Sequence, residues 1–190
     1  MKVNFEYSEV YDELFTYMSR NEYNNKQYLE MLAFTSKFEK HWNKNEDKII
    51  NQIEKISGLK FKKDIKCFIV KHLGFRAISN PLTIKFIKDF KYLTAVLIHE
   101  LIHVLLNHNK KVCDLVKKKF DYSTNDYKIH FPVLLIERKV IENLFGNDYF
   151  NNVLIKDDYN QELAYEWKKV NEVYNKFDKD IIKFLKNVNK

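Results

Sequence analysis

Apolar positions in the first sixty residues recur at helical spacing. Val10, Tyr11, Leu14, Phe15 and Met18 form one set, Tyr28, Met31, Leu32 and Phe38 a second, and Ile49, Ile50, Ile53 and Ile56 a third. This pattern predicts three amphipathic helices. Ser57 and Gly58 close the third, and the pattern changes after Leu59. Between residues 66 and 88 the period shortens, and β-branched and aromatic residues gather at 67–70, 74–78 and 82–87, punctuated by Gly74 and by Asn80 with Pro81. Three short strands are expected. The last alternates Leu82, Ile84 and Phe86 against Thr83, Lys85 and Ile87 just ahead of the next helix, which predicts a sheet edge over a cleft, able to hold an extended peptide.

The next stretch, 92–109, reads YLTAVLIHELIHVLLNHN and is apolar except where it carries His99, Glu100 and His103. At about 100° per residue, imidazoles four positions apart leave a helix only about 40° from each other, so both can meet one ion. Zinc suits them: a tetrahedral catalytic site takes two imidazoles, a third protein ligand and a water, and Glu100 can accept that water's proton. With 6 His and 14 Glu in 190 residues, chance supplies this HExxH spacing in about 0.01 chains. A buried helix also excludes such groups unless they have partners, and a satisfied structural histidine pair is the alternative.

The third ligand must come from elsewhere in the chain. His108 lies five residues past His103, about 140° round the helix, and points away as a surface or cap residue. A metzincin would need Gly and His where Leu106 and Asn109 stand. The segment 132–146, PVLLIERKVIENLFG, predicts a helix with Pro in its first turn and Gly just past its end. Val133, Val140, Ile141 and Leu144 define its apolar face, Glu137 falls in the middle of that face, and Glu142 projects from the other side. A buried carboxylate lacking a counter-charge costs several kcal/mol, so Glu137 is expected to meet either the zinc or a buried Lys or Arg, with Glu142 in reserve as ligand. After Gly146, helical spacing returns at Leu163, Trp167, Val170 and Tyr174 and again at Ile181, Ile182, Leu185 and Val188, with Asp157 and Asp158 ahead of it.

Composition adds bounds to this pattern. With 3 Gly and 2 Pro the chain has little material for linkers. Cys67 and Cys113 are too few for a staple framework and are expected as buried thiols. The first fifteen residues lack the apolar core of a secretory signal, and 92–109 is too interrupted to span a bilayer, so a cytoplasmic location is expected. The net charge of +7 comes from 33 Lys and Arg scattered among 26 acids. The tightest groups are Lys110 with Lys111 and Lys117 to Lys119; a solvated face is the expectation, and nucleic acid is not expected as a partner.

HELIH on one helix, followed 34 residues after its second His by Glu137 on another, resembles the gluzincin branch of zinc metallopeptidases, closest to the small minigluzincins. The resemblance covers roughly residues 60–146 and implies an α+β, predominantly helical fold: a zincin-like core, with a short mixed sheet over an active-site helix and a glutamate helix, and flanking helices. It also implies a Zn2+ cofactor held by His99, His103 and Glu137, and hydrolysis of peptide or protein substrates by a zinc-bound water, with Glu100 as base. An oxyanion donor is expected too, with His130, Tyr122 and Tyr127 as candidates. The larger gluzincins carry an acid where Ile141 stands here. A catalytically silent or regulatory zincin-like module and a DNA-associated HExxH protease are the alternatives.

Three segments follow: a helical 1–59, a catalytic core 60–146, and C-terminal helices 147–190 packed on that core. Some minigluzincins are latent, with a terminal segment in the cleft; the flanking stripes here could be buried in the cleft or on the far side of the core. The pair on 92–109 makes a direct prediction. Purified chain should carry about one zinc per molecule, and His99→Ala or His103→Ala should abolish its retention; protein that gains no thermal stability from added zinc contradicts this.

Overall fold

Val3, Phe5 and Tyr7 alternate with Asn4 and Glu6, and this short pattern becomes strand β1 (Val3–Tyr7), which the helical spacing just after it conceals. The computed structural model describes residues 1–119, 125–151 and 164–188, and in them the chain is a mostly helical α+β protein with one small sheet. Two compact units divide it: Met1–Lys48 with Lys62–Leu101, and Ile49–Phe61 with Ile102–Lys190.

In the first unit β1 pairs in parallel with β2 (Ile65–Val70). Strand β4 (Leu82–Lys85) pairs in parallel with β2 and antiparallel with β3 (Ala77–Ser79), giving the order β1-β2-β4-β3. This corrects the expectation of an edge at 82–87. Asn80 and Pro81 fold β3 back along β4, so β4 is bonded on both sides and the edges are β1 and β3.

Helices α1 (Glu9–Met18), α2 (Asn25–Asn43) and α3 (Glu46–Ser57) stand where the periodicity puts them, but α1 is rotated against its apolar stripe. Val10 is 73% exposed and Met18 67%, while Asp12 and Thr16 are fully buried. The reason is a backbone end that needs an acceptor. Asp12 receives the Lys71 amide just past β2 at 2.5 Å, the Tyr7 hydroxyl at 3.0 Å and Gln27 Nε2 at 2.9 Å, and Gln27 Nε2 also donates to Thr16 at 2.9 Å. Satisfying that part-buried amide with a buried carboxylate outweighs burying Val10 and Met18. The stripe of α2 is also shifted: Met31, Phe34, Phe38 and Trp42 are buried, whereas Leu32 is 40% exposed. Phe38 packs edge-on to Phe5 of β1 at 5.3 Å, and Phe34 meets Phe86 just past β4 at 4.5 Å.

The expected stripe of α3 holds, with Ile49, Ile50, Ile53 and Ile56 all buried. Gly58, at φ +73°, ends the helix in the left-handed conformation and donates its amide to the Glu54 carbonyl at 2.8 Å.

Beyond α3 lie α4 (Phe90–His108), α5 (Lys110–Lys119), α6 (Asn125–Phe145), the single turn α7 (Asn147–Tyr149) and α8 (Ala164–Val188). The C-terminal stripe is carried by one helix of 25 residues, which buries Trp167, Val170, Tyr174, Ile181 and Leu185. Helix α8 packs on α6, where Arg138 of α6 lies 3.6 Å from the centre of the Tyr174 ring and donates to Asn171 at 2.7 Å. Asp157, Asp158, Leu163 and the side chains of Cys113 and Val188 lie outside the described residues.

Glu46 at the start of α3 ties down β1. Its carboxylate is 1% exposed and accepts the Val3 amide at 2.7 Å, Trp42 Nε1 at 3.0 Å and the Lys2 ammonium at 2.8 Å. Burial pushes its pKa up, but the bonds from Lys2, Val3 and Trp42 outweigh burial and hold the carboxyl below its ordinary value of 4.5. A depressed folded pKa means that the unfolded chain takes up the proton first. The stabilisation is therefore complete above about pH 4.5 and fades as pH falls through the folded value. Glu46→Ala should cost about 2–5 kcal/mol, because it strands two buried donors. In thermal melts from about pH 3 to 7, Glu46→Gln should flatten the acid limb of stability; an unchanged limb would contradict the assignment.

Candidate metal centre

Helix α4 is buried along most of its length. Asp89 caps its start: the carboxylate accepts the Lys91 and Tyr92 amides at 2.9 and 3.1 Å, and the carbonyl accepts the Leu93 amide at 2.9 Å. Its first residue, Phe90, packs against Phe34 and Phe38 of α2, each at 5.5 Å. Asn109 closes the far end, donating from its side chain to the Leu105 carbonyl at 2.8 Å. Between these anchors Leu93, Ala95, Leu97, Ile98, Leu101 and Ile102 are fully buried. Among the described residues α4 alone is long and apolar enough to cross a membrane, and 67% of its most apolar window is buried inside the protein.

His99 is 3% exposed, and Glu100 and His103 are half-buried. The His103 ring meets that of His130, on α6, at 5.1 Å between centroids and 89° between planes. His99 rides one turn earlier on the same unbroken helix as His103. One ligand nitrogen from each of His99, His103 and His130 lies within 4.8 Å of the other two. Two nitrogens bound to one zinc at about 2.1 Å stand about 3.4 Å apart, so the three converge on the scale of a single ion. Neutral imidazoles are also the donors that zinc takes most readily with water.

Helix α6 differs from the sequence expectation at its start. It begins at Asn125, so Pro132 sits inside the helix and not in its first turn. Proline lacks the N–H that would reach the carbonyl of residue 128, and the helix continues at the cost of that one bond. The added turns carry His130, which is thereby placed seven residues before Glu137. Seven residues are nearly two turns, so His130 and Glu137 share one face of α6 about 10 Å apart along its axis.

Glu137 is fully buried, but it is not a member of the compact donor group, whose third member is His130. Glu142, the reserve ligand, is engaged elsewhere: it accepts Arg138 Nε at 2.9 Å and the Tyr174 hydroxyl at 2.9 Å. His108 is the last residue of α4 and stands apart from the donor group. Tyr122 and the side chain of Tyr127 lie outside the described residues. From sequence His130 was a candidate oxyanion donor just ahead of the glutamate helix; the added turns of α6 before Pro132 place it in the donor group, as a candidate ligand.

Cys67 of β2 is a fully buried free thiol. Burial first, and then the charge of Glu100, push its pKa well up, and it is not a member of the compact donor group.

No family model, no curated protein and no solved structure matches this chain, so the assignment of ligands rests on its own geometry. That geometry separates three variants. His130→Ala should weaken zinc retention at least tenfold. Glu137→Gln should weaken it less. Glu142→Ala should leave zinc binding intact while destabilising the α6–α8 contact by about 1–3 kcal/mol. Competition with a zinc-sensitive dye measures the first two and thermal melting the third; zinc loss on Glu137→Gln with retention on His130→Ala would reassign the third ligand.

Proposed function

We propose that this chain is a zinc-dependent metallopeptidase whose metal is held by His99, His103 and His130. The observation that carries the reading is the convergence of three imidazole nitrogens within 4.8 Å, with Glu100 next to His99 on the same buried helix. Zinc bound there would supply Lewis acidity, polarising a carbonyl and bringing the pKa of water towards about 7. The chain's own residues do the rest. The buried imidazoles fix the ion's place, because α4 is capped by Asp89 and clamped by Phe34 and Phe38. Glu100, half-buried on that helix, accepts the proton of the attacking water and passes it to the leaving amine. An extended peptide can add to an unpaired sheet edge, and with β4 internal the edges open to one are β1 and β3.

A third histidine in place of glutamate departs from the gluzincin pattern. The small mixed sheet with the α4 helix supports a zincin-like core, and the ligand set sets this chain apart within it. Replacing Glu100 by Gln keeps the shape of the side chain and removes the base. Glu100→Gln should therefore retain about one zinc per chain and lose peptide cleavage by about 10²–10⁴-fold, read with a quenched-fluorescent peptide library on the full-length protein. Equal cleavage by both forms would refute the role of Glu100. Zinc retention with no cleavage by either would make the chain a regulatory zinc module.

A further inference from the structure

Lysines that look scattered along the sequence are gathered by the fold of the second unit. A groove of about 1030 Å³ runs beside α3 and α8, and Lys55, Lys60, Lys179, Lys183 and Lys186 line it. Lys179, Lys183 and Lys186 follow the i, i+4, i+7 spacing of a single face of α8, about 10 Å long. The other wall comes from the end of α3, and Gly58 lets the two meet: a Cβ at Gly58 would lie 2.8 Å from the Lys186 Cα. Only glycine admits so close an approach.

Among the described residues one acid lines the groove, Glu54, and it is already committed to Lys60, the Phe61 amide being its second donor. Lys55, Lys179, Lys183 and Lys186 form no ion pair with any described acid. Helix dipoles account for part of this, since Lys55 and Lys186 lie in the last turns of α3 and α8. They do not account for Lys179 and Lys183, which are exposed and lie earlier in α8. Four cations in one groove that pair with no described acid repel one another, and a multivalent anion relieves that repulsion.

The character of the groove narrows the anion. Among the described residues no aromatic side chain lines it and Ile182 is its one apolar side chain, so these residues offer no platform for unstacked bases. Its lysines are flexible point charges strung along a helix, which suits a backbone of repeated phosphates. We propose that this groove binds the sugar–phosphate backbone of a duplex nucleic acid without reading its sequence. This departs from the solvated face expected from the linear scatter of charge, and it stands independently of the zinc site.

Fluorescence anisotropy of a labelled mixed-sequence DNA duplex of about 20 base pairs, titrated with full-length protein, tests it. Four phosphate contacts predict a slope of log affinity on log salt of about −3 to −4. Lys179→Gln/Lys183→Gln should reduce that slope by about 2 and weaken binding at about 50 mM salt at least tenfold. Lys62→Gln/Lys63→Gln removes the same charge from exposed positions outside the groove and should change the slope by well under 1. Equal effects of the two double variants overturn the proposal. So does an absence of duplex binding at about 50 mM salt, or binding of inorganic polyphosphate at these lysines with none of duplex.

Discussion

A helix buried on nearly all sides must compensate each polar side chain that it carries, and α4 carries three in five residues, His99, Glu100 and His103. Much of the architecture can be read as a response to that constraint. His103 meets His130 of α6, and one ligand nitrogen from each of His99, His103 and His130 lies within 4.8 Å of the other two, close enough for the proposed divalent ion to satisfy all three at once. The burial that makes the site costly also makes it precise, because Asp89, Phe34, Phe38 and Asn109 hold both ends of the helix.

The same logic of buried polar groups explains where α1 departs from its own pattern. Asp12 turns inward to accept three donors, among them the amide that follows β2, and Val10, Leu14 and Met18 are left on the outside. Glu46 does a similar job for β1, collecting the Val3 amide, the Trp42 indole and the Lys2 ammonium. In each case a carboxylate inside the protein fixes a strand end, and in α1 the apolar stripe yields to it.

Legibility in the sequence followed from how local each feature is. The motif helix and α3 were readable because periodicity and stop signals lie within one segment: 92–109 against Phe90–His108, and four isoleucines with Ser57 and Gly58. Strand β1 was not, since five alternating residues carry little weight beside the helical run that follows. The interior position of β4 and the rotation of α1 depend on partners far along the chain, β3 pairing in the first case and the Lys71 amide in the second. Within the site, His99, Glu100 and His103 stood out by spacing. The placing of His130 required knowing that α6 runs on through Pro132 towards Asn125, which local proline rules argue against.

The proposed site is one ion on three named nitrogens. Anomalous scattering at the zinc absorption edge, from crystals of the full-length protein grown with zinc, tests it most directly. A single strong peak is expected about 2.0–2.1 Å from one nitrogen each of His99, His103 and His130. A peak bonded to Glu137 and not to His130, or no peak beside His99 and His103, would contradict it.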